Sequence, residues 1–276
     1  MMNHTLKNTL SALALTFTML GTGVIVSAEI ETGLQAYTYR ALTFFETVDK
    51  ARELGIPLLE AYPGQRLGGG LDGKFGHDMS DEQRQKVVEK LNAAGVTLCS
   101  YGVVGAGDEA SWRKIFAFAR DMKLRWVTVE PPPDKLPLLD LLANEYNIPL
   151  AVHNHPTPSA YANPAVTKTA LASLSDKIGV CADTGHWGRS GFVPAQALAM
   201  LSGRIRSLHL ADVSQLARGA RDVPFGTGAA NISAVLAELK RQNFHGVAII
   251  EYEHQSPDLD KDVSQCVEYL RANKPQ

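Results

Sequence analysis

Four apolar runs in this chain end in a side chain that an apolar run has no reason to carry. RWVTVE closes on Glu130, IGVCAD on Asp183, IRSLHL reaches His209 just before its end, and VAIIE closes on Glu251. Successive runs are separated by about the length of one or two strand–helix units. A chain that repeats this unit must bury each strand beneath a helix, and one functional group per strand end then collects on a single rim. Three carboxylates and one imidazole on such a rim make a donor set for a divalent cation.

The whole chain follows the same rhythm. Apolar strand candidates fall at 33–38, 56–61, 96–101, 125–130, 148–153, 178–183, 205–210 and 247–252. Between them lie stretches with helical spacing, such as DEQRQKVVEKLNAAG at 81–95, whose last glycine reads as a C-cap. The stretch at 231–246 opens on an asparagine cap and closes near Gly246. Continuous apolar strands alternating with helices specify a parallel sheet covered on its outer face. Eight such units close a (β/α)8 TIM barrel. The absence of GxGxxG after the first strand argues against an open, doubly wound nucleotide-binding sheet.

Residues 1–28 read differently. Lys7 is their only charged residue, Leu10–Val26 is apolar apart from Ser, Thr and Gly, and Val26-Ser27-Ala28 supplies the small residues of a cleavage site. The expectation is a cleaved export signal and hence a periplasmic protein, with a retained anchor as the alternative. Residues 29–276 then form a single domain of 248 residues, a typical size for one barrel. That domain holds 26 basic and 29 acidic residues, which gives no basic footprint for nucleic acid or an anionic membrane. Cys99 and Cys181 lie in strand-like runs and Cys266 on a helical face, so all three are expected as small buried hydrophobes rather than a disulfide framework.

The other strand ends are polar as well. Gln35–Tyr37 ends the first, Glu60 the second, and Ser100–Tyr101 the third. The fifth runs into His153-Asn154-His155-Pro156, the sixth into Asp183-Thr184-Gly185-His186, the seventh offers His209 and Asp212, and the eighth Glu251, Glu253 and His254. One carboxylate at a strand end is ordinarily a solvated residue or a cap. Several around one mouth repel one another unless a cation balances them. By alternation Glu251 and Glu253 share a face, as do His153 and His155, opposite Asn154. Arg218 and Arg221 follow the seventh strand, and the glycines at 68–70 and prolines at 131–133 shape loops near the mouth.

Taken in order, GLQAYTYR, VEP, LAVHNHP, CADTGHW, LHLADV, DVPFGTG and IIEYE resemble the sugar isomerase/epimerase superfamily with a xylose-isomerase-like barrel, over roughly 33–272. The resemblance implies Glu130, Asp183, His209 and Glu251 as ligands of a divalent metal (Mn, Mg, Co or Zn). It implies Glu130 and Glu251 as the acid/base pair and His186 as a contact to a substrate hydroxyl. His153, His155, Glu60 and Arg221 complete the expected substrate-binding set. The implied reaction removes the proton next to a carbonyl and passes through an enediolate that the metal stabilises, giving an isomer or epimer. With a leaving group β to that carbon the same intermediate gives a lyase or dehydratase.

Export points to an unphosphorylated keto-sugar or keto-glycoside, since sugar phosphates belong to the cytosol. LAVHNHP lacks the lysine of true xylose isomerases, which argues against their hydride shift. Two other classes were weighed. Metal-dependent apurinic-site nucleases share the barrel but need histidines on early strands, where this chain has Glu60 and Tyr101. A non-catalytic carbohydrate-binding barrel would not need all four ligands. The expected partner is a small carbohydrate, and the oligomeric state is left open.

Overall fold

The computed structural model describes residues 30–273, so the leader-like segment lies outside the described residues. The strands run β1 (Glu31–Gln35), β2 (Leu58–Ala61), β3 (Arg66–Gly68), β4 (Leu71–Lys74), β5 (Thr97–Val104) and β6 (Trp126–Val129). They continue with β7 (Leu150–His153), β8 (Ile178–Asp183), β9 (Ile205–Leu210), β10 (Asp212–Val213), β11 (Asp222–Val223) and β12 (Val247–Ile250). Eight of them close a barrel in the order β1-β12-β9-β8-β7-β6-β5-β2, every neighbouring pair parallel. The expected TIM barrel is therefore present. Its sixth and seventh strands match the expected bounds, while the first stops at Gln35 and gives way to a 3-10 turn over Ala36–Tyr39.

The helices are α1 (Phe44–Glu53), α2 (Asp81–Ala94), α3 (Glu109–Asp121), α4 (Leu136–Tyr146), α5 (Pro164–Leu171), α6 (Thr184–Arg189), α7 (Pro194–Met200), α8 (Ile232–Arg241) and α9 (Leu259–Asn273). Their starts are chemically specified. Thr43 with Glu46 and Ser80 with Gln83 form reciprocal capping boxes, and Asp108, Asn163 and Asn231 each accept from a first-turn amide. Their apolar faces pack on the barrel's outside in one large core. No described helix is long and apolar enough to cross a membrane.

Inside the barrel the lower layers are apolar: Leu58, Cys99, Trp126, Ala151, Cys181 and Ile249 fill them. This packed floor leaves only the C-terminal mouth for polar chemistry. All three cysteines are free and buried, as expected. Two small hairpins escape the strand pattern. β3–β4 follows β2, and its turn contains the glycines at 68–70. The second pairs β10 with β11 after β9. Asp212, one of the polar residues at the end of the seventh strand, organises that second loop. Its oxygens accept from the amides of Val213, Gly226, Gly228 and Ala230. Gly226 sits at φ +83°, and a Cβ on Gly228 would lie 2.4 Å from the Asp212 carboxylate, so the DVPFGTG motif is a carboxylate-centred loop that needs its glycines.

Candidate metal centre

β8 ends at Asp183, and the residue serves two structures at once. Its Oδ1 caps α6 by accepting from the His186 amide at 2.6 Å. Its Oδ2 faces the mouth, 3.3 Å from His153 Nε2 and 3.6 Å from His186 Nε2. Asn154 holds the backbone at that corner, accepting from the Asp183 amide (2.9 Å) and donating to its carbonyl (3.0 Å). This explains the HNH segment on β7: the histidines face the mouth, while the asparagine between them locks the neighbouring strand.

Asp183, His153, His209 and Glu251 converge, each offering one ligand atom within 4.8 Å of the others, and all four are buried. Three of them, Asp183, His209 and Glu251, are expected from the sequence as ligands; the fourth member of the group is His153, expected at the substrate. Glu130 lies just past the end of β6, where its two oxygens are occupied by His155 Nδ1 and Ser159 Oγ. It forms a second group with His153 and His155 instead. The shared His153 joins the two groups.

The donor set suits a borderline divalent cation: two imidazoles, two carboxylates and no thiolate. Buried atoms in the cluster also lack partners. His153 Nδ1 has none, and His209 Nδ1 lies 2.9 Å from Glu251 Oε2 without the geometry of a hydrogen bond. The other His209 nitrogen, Nε2, meets Glu60 Oε1 at 3.1 Å, and Gln35 Nε2 donates to the same oxygen at 3.1 Å. A carboxylate on the far nitrogen of a metal-binding histidine fixes its tautomer and aims the near nitrogen. Glu60, expected at the substrate, is fully buried beneath His209 and orients its ring.

Electrostatics agree with a cation site. Burial alone would raise the Asp183 carboxyl, but His186, His153 and His209 hold it well below the usual carboxylate range. Burial likewise opposes ionisation of Glu251, and His209 outweighs it. Burial penalises a charged His209, yet the Glu251 and Glu60 carboxylates around it raise it well above the ordinary imidazole value. A proton thus sits where a cation could replace it.

Above the cluster is a cavity of about 450 Å³ lined on one side by His153, His155, His186, Glu251 and Glu253. No lysine or arginine lines it among the described residues. Smaller clefts at the N-terminal ends of the strands gather no such set of carboxylates and imidazoles. Burial pushes His186 down to about 4, so the ring is neutral. Arg189 Nη1 donates to its Nδ1 at 3.0 Å, which leaves the proton on Nε2, directed toward Asp183 and the cavity. Arg189 was not anticipated from the sequence. It also pairs with Asp222 and reaches Glu253 Oε2 at 3.1 Å. Arg221, expected at the substrate, lies exposed on the β10–β11 loop, turned to solvent by the hairpin; its amide donates to Ser214 Oγ.

The fold and site define the class: a TIM barrel with a buried carboxylate–imidazole cluster at its C-terminal mouth that could hold a metal ion. The chain belongs to the xylose isomerase-like TIM barrel family, whose model matches residues 48–273. Among solved structures it is similar to an uncharacterized protein of Parabacteroides distasonis ATCC 8503, with 34% identity, 88% of this chain and 98% of that one covered, and a TM-score of 0.72. A D-tagatose 3-epimerase-like protein shares the fold at 18% identity (88% and 98% covered, TM-score 0.69). So does the IolI protein with a bound zinc atom, at 16% identity (88% and 96% covered, TM-score 0.67). No protein of curated function matches the chain.

Proposed function

We propose that the protein is a divalent-metal-dependent isomerase or epimerase of an unphosphorylated keto-sugar or keto-glycoside. The observation that carries this reading is the buried convergence of His153, Asp183, His209 and Glu251 under a cavity without a lysine or arginine. A cation held by Asp183, His209, Glu251 and either His153 or Glu130 would supply Lewis-acid polarisation of a substrate carbonyl. Phosphate recognition needs cationic or amide-rich groups, and the cavity wall offers carboxylates and imidazoles instead.

The chain's own residues account for the proton traffic. Glu251 is ionised and faces the cavity, so it takes the proton from the carbon next to the carbonyl. His186 donates from Nε2 to a substrate oxygen. His155 lines the same cavity, with Glu130 behind it. Burial would lower His155, but the Glu130 hydrogen bond and charge raise it, so the pair holds a proton ready for return to the substrate. Burial opposes ionisation of Glu130, and its bonds to His155 and Ser159 overcome this. Glu130 therefore acts through His155.

The test is proton NMR in D₂O with Mg²⁺ or Co²⁺, on free ketoses and keto-glycosides, with and without EDTA. Metal-dependent deuterium uptake beside the carbonyl with a new epimer or isomer is the expected result, lost in Glu251→Gln. Aglycone release with a new vinylic signal would make the enzyme a lyase. Unchanged exchange in Glu251→Gln would remove Glu251 as the base. We further propose that residues 1–28 direct export to the periplasm. Mass measurement of the chain recovered from a periplasmic fraction should give an N-terminus at Glu29.

A further inference from the structure

The cavity lining is of two kinds. Besides the imidazoles and carboxylates, the ends of β1, β2 and β5 contribute Gln35, Tyr37, Tyr62, Pro63, Gly102 and Val103. Tyr37 and Tyr62 meet edge to face with ring centroids 5.2 Å apart and planes at 88°. Tyr37 is 38% exposed, an aromatic ring left open at the mouth in a chain that buries most of its large hydrophobic side chains.

Arg40 holds this wall in place. Its guanidinium lies 4.8 Å from the Tyr37 centroid, and its terminal nitrogens donate to the carbonyls of Glu253 (2.9 Å) and Tyr37 (3.4 Å). The arginine ties Tyr37 to the segment after β12 rather than offering its charge to the cavity. The result is a fixed aromatic surface beside the polar cluster. At about 450 Å³ the cavity is of the size that encloses a drug-sized ligand. A keto-sugar ring engaged by the carboxylates and imidazoles leaves the neighbouring tyrosines to a group carried on that ring, and an aromatic surface receives a flat or apolar ring face.

We propose that Tyr37 and Tyr62 form a subsite for a second ring in glycosidic linkage, so that the substrate is a keto-glycoside with a ring-bearing aglycone rather than a free ketose. This deepens the function proposed above and rests on the same cavity. A flat aryl ring and the apolar face of a pyranose satisfy the same wall, and binding probes separate them.

Calorimetry on the purified protein would compare methyl, phenyl and glucosyl β-glucosides, none of which can be turned over as a ketone. Phenyl or glucosyl glucoside should bind about tenfold more tightly than the methyl compound. Preference for phenyl alone makes the second ring aryl, and preference for glucosyl alone makes it a sugar. Tyr37→Ala should erase the preference, whereas Tyr37→Phe keeps the ring and should retain it. Equal affinity across the series, or a preference that survives Tyr37→Ala, overturns the subsite. The deuterium-exchange test reports separately on enolisation: loss of exchange on every ketone with the preference intact removes the chemistry and leaves the subsite standing.

Discussion

Glu60 Oε1 lies 3.1 Å from His209 Nε2, joining the end of β2 to the end of β9 through the barrel interior. Both residues are completely buried, and the contact leaves His209 Nδ1 as the nitrogen aimed at Glu251. The orientation of the His209 ring thus depends on a residue at the end of β2. Glu60→Gln keeps the shape but weakens the acceptor. Metal affinity should fall about 10- to 100-fold, read by competition with a chelating dye. An unchanged affinity would show that His209 needs no carboxylate behind it.

Metal removal should destabilise the fold, because the buried cluster then keeps its unpartnered atoms. At a metal concentration about 100 times Kd, mass action contributes about 2.7 kcal/mol. For a chain of this size that corresponds to a rise in Tm of about 5–10 °C over the EDTA-treated protein. Scanning calorimetry with and without EDTA checks it, and coincident transitions would argue against a bound cation in the folded state.

The proton held by His209 gives a pH prediction. Because its folded value is raised, its charged form contributes stability that is complete below about pH 6.5 and is lost as pH rises through the folded value. A cation that takes His209 Nδ1 must displace that proton, so metal binding at neutral pH should release about one proton. Titrations in buffers of different ionisation enthalpy measure the number directly. A heat independent of buffer would mean that His209 is neutral before the metal arrives.

Strand identity, barrel closure and the meeting of Asp183, His209 and Glu251 were legible because each residue stands at the close of a continuous apolar run and so reaches the same rim. The surroundings of Glu130 were not, because His155 and Ser159, both from beyond β7, take its two oxygens and decide its direction. Ser159, in the loop after β7, takes one of its oxygens, and no periodicity marks a loop serine. Glu60 was misplaced for a related reason: parity tells that a residue points inward, but not how deep in the barrel it sits. Arg189 went unread because it looks like an ordinary basic residue in the last turn of a short helix. A searchable sign was present, since an arginine three residues after a mouth histidine can reach that ring on the same helix face.

The three thiols should be inert in the native protein. Burial pushes Cys266 up to about 12, and burial raises Cys99 and Cys181 as well. With so little thiolate and no access, a thiol reagent at pH 8 should find no reactive cysteine until denaturant is added, when three react. Fast reaction of one thiol in the native state would place that residue outside the core.

Arg189 joins three parts of the mouth: the His186 ring, the Glu253 carboxylate and Asp222, which in turn accepts from the amides of Glu253 and His254. Burial and the nearby Glu251 push Glu253 up to about 7, so this side of the cavity depends on the guanidinium to keep negative charge tolerable. Arg189→Gln strands the fully buried Asp222 and should cost about 3–5 kcal/mol of stability. A purely structural role would stop there. Nitrogen NMR of His186 separates the two roles: with Arg189 present the proton belongs on Nε2, and in Arg189→Gln the ring should populate both tautomers. Arg189→Lys, which retains a donor toward Nδ1, should restore the Nε2 tautomer and part of the turnover while recovering little of the lost Tm. If the tautomer is unchanged in Arg189→Gln, Asp183 alone orients His186 and the arginine serves only to neutralise its side of the mouth.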